Sequence, residues 1–273
     1  MAALNSFISF HHLKRIFKNQ VKIILLVMLF GFLVEFLFTF ILSASAIRKF
    51  AESYFKLLPP MVKQMTGFLG ENLVGSQFIA FGYTHPAVLF ILSFIPVAIA
   101  SRYITAELEN RSIELLSSRL LPRHAVVLTP FLFILLSFLT VFGAMLSGSL
   151  LGRLILDMNE DIQPFILLKI ALTGLLFFTA ISTITLYIST LFSERGKALA
   201  WSSGIILFAF VFDAIIRLWD QIAFLKPYSL FNWYQPVNIA TGQYNFEIGI
   251  PLLALLSSGF LSAAVRHFNH RDL

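Results

Sequence analysis

From Ile23 to Ile47 the chain runs 25 residues with a single charged side chain, Glu35. A helix of that length rises about 37 Å, while a bilayer core of about 30 Å needs only about 20 residues to cross it. Comparable stretches recur at about 80–101, 125–151, 165–192, 198–218 and 248–265. In lipid every backbone amide must find its partner within the segment, so runs like these persist only as helices. The expectation is an all-α integral membrane protein, one domain over 1–273 with six transmembrane helices. Composition enters as a check: 12% of the residues are charged, about half the share of a soluble domain.

The polar intervals then carry the information. Residues 5–20 place Phe7, Phe10, Leu13, Ile16 and Phe17 beside Lys14, Arg15 and Lys18. That pattern predicts an interfacial amphipathic helix with its basic face toward anionic headgroups. The adjacent His11 and His12 point about 100° apart on a helix, which makes a poor chelate. Six spans put both termini on one side. On that side fall Lys14, Arg15, Lys18, Lys22, Arg102, Arg111, Arg119, Arg123, Arg195, Lys197, Arg266 and Arg271, 12 of the 20 basic residues. The positive-inside rule makes it the cytoplasmic side, so the expected location is a cell membrane, multi-pass, with both termini cytoplasmic.

Inside the spans, three features stand out. Glu35 sits at the middle of the first, where a carboxylate is costly and faces the bundle interior or a water-filled path. It serves either a translocation path or helix packing. Ala144, Gly148 and Gly152 recur at four-residue spacing in the third and predict a close helix-packing face, within the chain or between protomers. The fourth span carries Thr173, Thr179, Ser182, Thr183, Thr185, Ser189 and Thr190. Such hydroxyls line a path or bond their own helix carbonyls. Asp213 and Arg217 are placed for an i,i+4 ion pair, and Trp219, Tyr228, Phe231, Trp233, Tyr234 and Tyr244 read as an aromatic belt.

Several function classes fall away. There are no cysteines, which removes disulfides and thiolate chemistry. The charge of +6 follows the positive-inside pattern and gives no nucleic-acid patch. No phosphate-binding Gly-x-x-x-x-Gly-Lys loop, zinc-protease His-Glu-x-x-His or Gly-x-Ser-x-Gly elbow occurs. With Glu35 the one deep charge, a proton-driven mechanism lacks its relay, and energy must enter from elsewhere.

The interval Arg102–Arg123 is where it would enter. Its Leu108, Ile113, Leu115, Leu116, Leu120 and Leu121 alternate with four arginines and three glutamates, predicting a cytoplasmic amphipathic helix at about 104–121 between the second and third spans. Here Glu107, Ser112, Glu114, Leu115 and Leu116 fall on a motif E-x-x-x-G-T/S-hydrophobic-E-hydrophobic-L, followed by Pro122 and Arg123. Arg111 stands where the motif has glycine, and Arg119 where it has proline. With the six-span layout, this segment resembles the permease subunit of ABC-2-type transporters, similar in layout to those of copper-maturation and multidrug-type exporters.

The resemblance implies a half-transporter. Two copies of this chain, or one with a homologue, would join separate ATPase subunits that bind ATP and magnesium, this chain itself holding no cofactor and hydrolysing nothing. The coupling helix would dock through Glu107, Glu109, Arg111, Ser112, Glu114, Leu115, Leu116 and Arg119. The family exports lipids, peptides, drugs, polysaccharides and ions, so the resemblance leaves the cargo open; the Phe, Leu and Thr content of the spans favours a hydrophobic or antimicrobial one. Two alternatives stand beside it: a membrane-embedded enzyme using Glu35, the fourth-span hydroxyls and His85, or an accessory or scaffold subunit of a membrane complex.

Overall fold

Ser9 Oγ accepts the backbone N–H of His12 at 3.2 Å and so opens the first helix, α1 (Phe10–Ser43). The computed structural model describes residues 8–44, 49, 53, 57, 75–110, 122–158 and 162–271. Nothing breaks α1 before Gly31, because Phe10–Phe30 holds no glycine or proline. The result corrects the expectation of a separate surface helix at 5–20 followed by a span at 23–47. Residues 10–43 are one helix of 34 residues, about 51 Å long. Its basic first turns continue the span in line, because His12, Ile16 and Gln20 are buried against the bundle.

The second expected span is divided. Proline cannot donate to the preceding turn and disfavours helix at the residue before it. The break falls at His85–Pro86. The short α2 (Gly75–Thr84) ends there, and α3 (Pro86–Glu109) begins with Pro86 in its first turn and His85 Nδ1 accepting from Ala87 N. Within α3, Pro96 interrupts the ladder and Ser101–Thr105 forms a π-helical turn. Such turns re-aim side chains and concentrate at functional places. The last turn of α3, Ala106–Glu109, takes up the start of the expected coupling helix. The rest of that helix, with Arg111, Ser112, Glu114, Leu115, Leu116 and Arg119, lies outside the described residues.

The chain continues as α4 (Arg123–Ile155), α5 (Pro164–Leu191) and α6 (Arg195–Leu218), then two 3-10 turns, Asp220–Tyr228 and Phe231–Trp233. A short α7 (Pro236–Ala240) precedes α8 (Phe246–Asn269). Every element among the described residues is helical, and α1, α3, α4, α5, α6 and α8 are long and apolar enough to cross a membrane. They alternate in direction. The face bearing the start of α1 is called the near face below, and the opposite one the far face.

Burial separates centre from rim. In the most apolar stretch of α3, α4 and α5, 67, 61 and 56% of residues are buried, against 17% in α1, α6 and α8. The first three form the middle. The others present one inward seam each and leave apolar side chains such as Leu26, Phe208 and Leu255 exposed, the pattern suited to contact with lipid or a partner. The seam between α1 and α4 is closest at Gly148 and Gly152. A Cβ at Gly148 would meet the Phe32 carbonyl oxygen at 2.4 Å, and one at Gly152 the Thr39 Cβ at 2.7 Å. These two glycines of the four-residue stripe thus face a helix of the same chain. Ala144 borders a shallow groove on that seam with Met28, Leu29 and Phe32.

Candidate functional site

Three features could carry function: a charged hub on the near face, a polar pocket around Glu35, and an apolar groove between α3 and α6.

The hub grows from the π turn and last turn of α3. Glu107 Oε1 accepts from Arg15 Nη2 of α1 at 2.6 Å, and its side chain is 4% exposed. Thr105 Oγ1 donates to the Ser189 carbonyl of α5 at 2.8 Å. Glu109 Oε2 accepts the Arg195 backbone N–H at 2.9 Å, which sets a carboxylate at the N-terminus of α6, where the helix dipole favours negative charge. Tyr103 adds a neutral link, its hydroxyl accepting from Gln20 Nε2 at 3.3 Å and its ring meeting His12 edge-on. One end of α3 therefore grips α1, α5 and α6.

A second clasp closes the same face. Arg123 Nη1, at the start of α4, donates to the Asn269 and Arg271 carbonyls at 3.0 and 2.9 Å. Arg271 in turn donates to the Thr190 carbonyl, to that of Phe192 at 3.3 Å and to Ser193 Oγ at 2.6 Å. These groups satisfy the open carbonyls at the ends of α5 and α8. Partial burial lowers the Arg271 pKa from its ordinary value. Asn110 and Pro122, which flank residues 111–121, both belong to this face.

The polar pocket lies toward the far face, since Glu35 is eight residues, about 12 Å, short of the end of α1. Glu35 is fully buried. Its Oε2 accepts from Ser149 Oγ of α4 at 3.0 Å, while Oε1 has no hydrogen-bond partner. Gly82 of α2 lets Oε1 approach: a Cβ there would stand 2.5 Å from it. The Tyr83 hydroxyl is likewise buried without a hydrogen bond. Tyr234 caps the pocket, donating to the Tyr83 carbonyl at 3.3 Å and stacking on Phe177 at 4.8 Å between ring centroids. The expected aromatic belt thus splits. Trp219 and Tyr228 are exposed, whereas Phe231, Tyr234 and Tyr244 are buried as a plug beneath α7. Burial pushes the Tyr244 phenol up to about 12.

The third feature is a groove of about 320 Å³ between α3 and α6, walled by Leu89, Phe90, Phe94, Val97, Ile206, Leu207 and Phe210. Ser93 and Ser203 supply the hydroxyls, and no charged side chain lines it.

The residues picked out by sequence distribute unevenly. Glu107 and Glu109 come together at the hub, but Glu107 is turned into the bundle instead of outward for docking. Arg111, Ser112, Glu114, Leu115, Leu116 and Arg119 fall among undescribed residues. Asp213 and Arg217 form their ion pair at 2.6 Å, with Ser229 Oγ donating to the second carboxylate oxygen at 2.5 Å. The hydroxyls of Thr173, Thr179, Ser182, Thr183, Thr185 and Thr190 donate to carbonyls three or four residues back in α5, so they are spent on their own helix. Sequence marks Arg15 and Arg271 only as cytoplasmic-side charges, and gives no sign of Ser149 or Tyr83. A buried carboxylate calls for a donor, but nothing local says which of the many basic or hydroxyl residues supplies it. Among the described residues no three His, Asp or Glu side chains gather as a metal site would need.

No family model, curated protein or solved structure matches this chain.

Proposed function

We propose that this chain is the transmembrane subunit of an ATP-driven exporter of ABC-2 type, with the near face cytoplasmic. A separate ATPase would dock on the segment between Asn110 and Pro122, and two such chains would form the working unit. The observation that carries the reading is the union of hub and groove in one element. The far half of α3 walls the apolar groove, and its near end holds α1, α5 and α6, of which α6 is the opposite wall. A displacement applied next to Asn110 therefore reaches both walls at once. Coupling needs such a discrete element whose two arrangements both sites bias.

The groove supports a hydrophobic cargo, since its walls are phenylalanine, leucine, isoleucine and valine with two hydroxyls. The roles divide accordingly. Glu107 and Glu109 are positioning residues that tie α3 to α1 and α6, while contact with the ATPase falls to residues 111–121. Photocrosslinkers placed singly at positions 111–121 test this. The reading expects adducts to one nucleotide-binding protein, changing with ATP. Crosslinks to lipid alone, with or without ATP, would refute it.

A further inference from the structure

A second groove lies on the other flank of α3, facing α1. It measures about 270 Å³ and is walled by Ile23, Ile24 and Val27 of α1 and by Phe94, Ile95 and Ala98 of α3, among others. It differs from the α3–α6 groove in one respect: its near end is polar. Gln20 closes that end and is held there by its hydrogen bond to Tyr103. Arg102 lies in the π turn next to Tyr103, beside that end of the groove. Its guanidinium stacks over the Tyr103 ring at 5.7 Å, which holds the group in place while leaving it exposed. Among the described residues Arg102 has no carboxylate partner; the neighbouring Glu107 is buried and committed to Arg15. Lys22, also exposed, directly precedes the wall residue Ile23.

An apolar slot open to the side of a membrane helix pair, with an exposed guanidinium beside its interfacial end, fits one chemistry: an acyl chain on a net-anionic phosphate headgroup, which has no choline cation to oppose Arg102. Arginine offers phosphate a fork of donors that ammonium does not. We propose that the α1–α3 groove is a binding site for an anionic phospholipid of the near-face leaflet, its acyl chain along Ile23, Val27, Phe94 and Ala98 and its phosphate on Arg102. The site is separate from the cargo groove and does not depend on the exporter reading. Because both walls meet at the hub, an occupied groove braces α1 against α3, and the lipid becomes a structural component of the bundle.

The test uses the purified full chain in neutral detergent, with phosphatidylglycerol and phosphatidylcholine of identical acyl chains added separately. Bound lipid is counted by native mass spectrometry and the melting temperature recorded. The expected result is retained phosphatidylglycerol and a raised melting temperature, with phosphatidylcholine roughly fivefold weaker, the effect of about one cationic contact at the interface. Arg102→Ala should erase that preference, and Arg102→Gln gives the same reading if the alanine variant does not purify. Ala98→Trp, which fills the slot, should weaken both lipids. Lys226→Ala, an exposed cation in the turn after α6 on the far face, should change nothing. Equal retention of the two lipids, an unchanged preference in the Arg102 variants, or an equal loss in Lys226→Ala would each overturn the site.

Discussion

Glu107 shows how far one side chain's setting changes its reading. On sequence it is an acidic residue of a surface segment, available to a partner. In the fold its carboxylate is buried and answers Arg15, 92 positions away. Removing the carboxylate leaves Arg15 half exposed and able to rehydrate, so the loss falls below that of a fully buried pair. Glu107→Ala should cost about 1–3 kcal/mol, read as a lower unfolding midpoint. Arg15→Ala should cost as much or more because it strands a buried carboxylate, and the double variant should cost less than the sum. Strict additivity would show that the pair does not interact. Glycines give a second contrast. Gly148→Val must push against a backbone carbonyl and should destabilise by about 1–3 kcal/mol, whereas a Cβ at Gly143 meets nothing within 4 Å. Gly143→Ala should therefore be neutral or stabilise by up to about 1 kcal/mol. Equal melting of the two variants would remove the claim that Gly148 sets the α1–α4 distance.

At the scale of elements, what sequence made legible is what lipid enforces. The six apolar helices follow from hydropathy, because backbone satisfaction leaves no other structure. The i,i+4 pair Asp213–Arg217 was readable too, since it depends on neighbours in one helix; the α5 hydroxyls left two readings open, and six of the seven bond their own helix while Ser189 Oγ is buried without a partner. The joint between α2 and α3 was half visible. Pro86 marks it, but Gly75–Thr84 is apolar enough to merge with the span that follows. The continuity of α1 was hidden for the opposite reason, because its basic first turns look like a surface helix until His12, Ile16 and Gln20 are seen buried. Nothing local could reveal that Gly82 exists to admit the Glu35 carboxylate, or that Arg271 closes α5. Those contacts join positions 47 and 81 residues apart and are set by packing. The α3–α6 groove yields an element-scale prediction. Ser203→Trp places an indole between its walls from an exposed position; if the exporter reading holds, transport of an apolar cargo falls at least tenfold while unfolding stability stays within about 0.5 kcal/mol of the parent. Unimpaired transport would show that cargo travels by another route.

For the whole molecule, the asymmetry between faces is the main property. The near face is cross-braced by Arg15–Glu107, Glu109 at α6, and Arg123 with Arg271, all polar links among helix ends. The far face is sealed by aromatic packing of Tyr234, Phe177 and Phe231 over the Glu35 pocket. On the proposed exporter reading, a push applied at the near face would travel along α3 while the aromatic seal holds the far face, and a separate ATPase would supply it. The most direct test is transport by the reconstituted chain. Proteoliposomes should be prepared from the chain alone and from the chain with any ATPase that crosslinks to residues 111–121, and movement of an apolar cargo measured with and without ATP. Movement that requires both the ATPase and ATP is the expected result. Equal movement by the chain alone would contradict it.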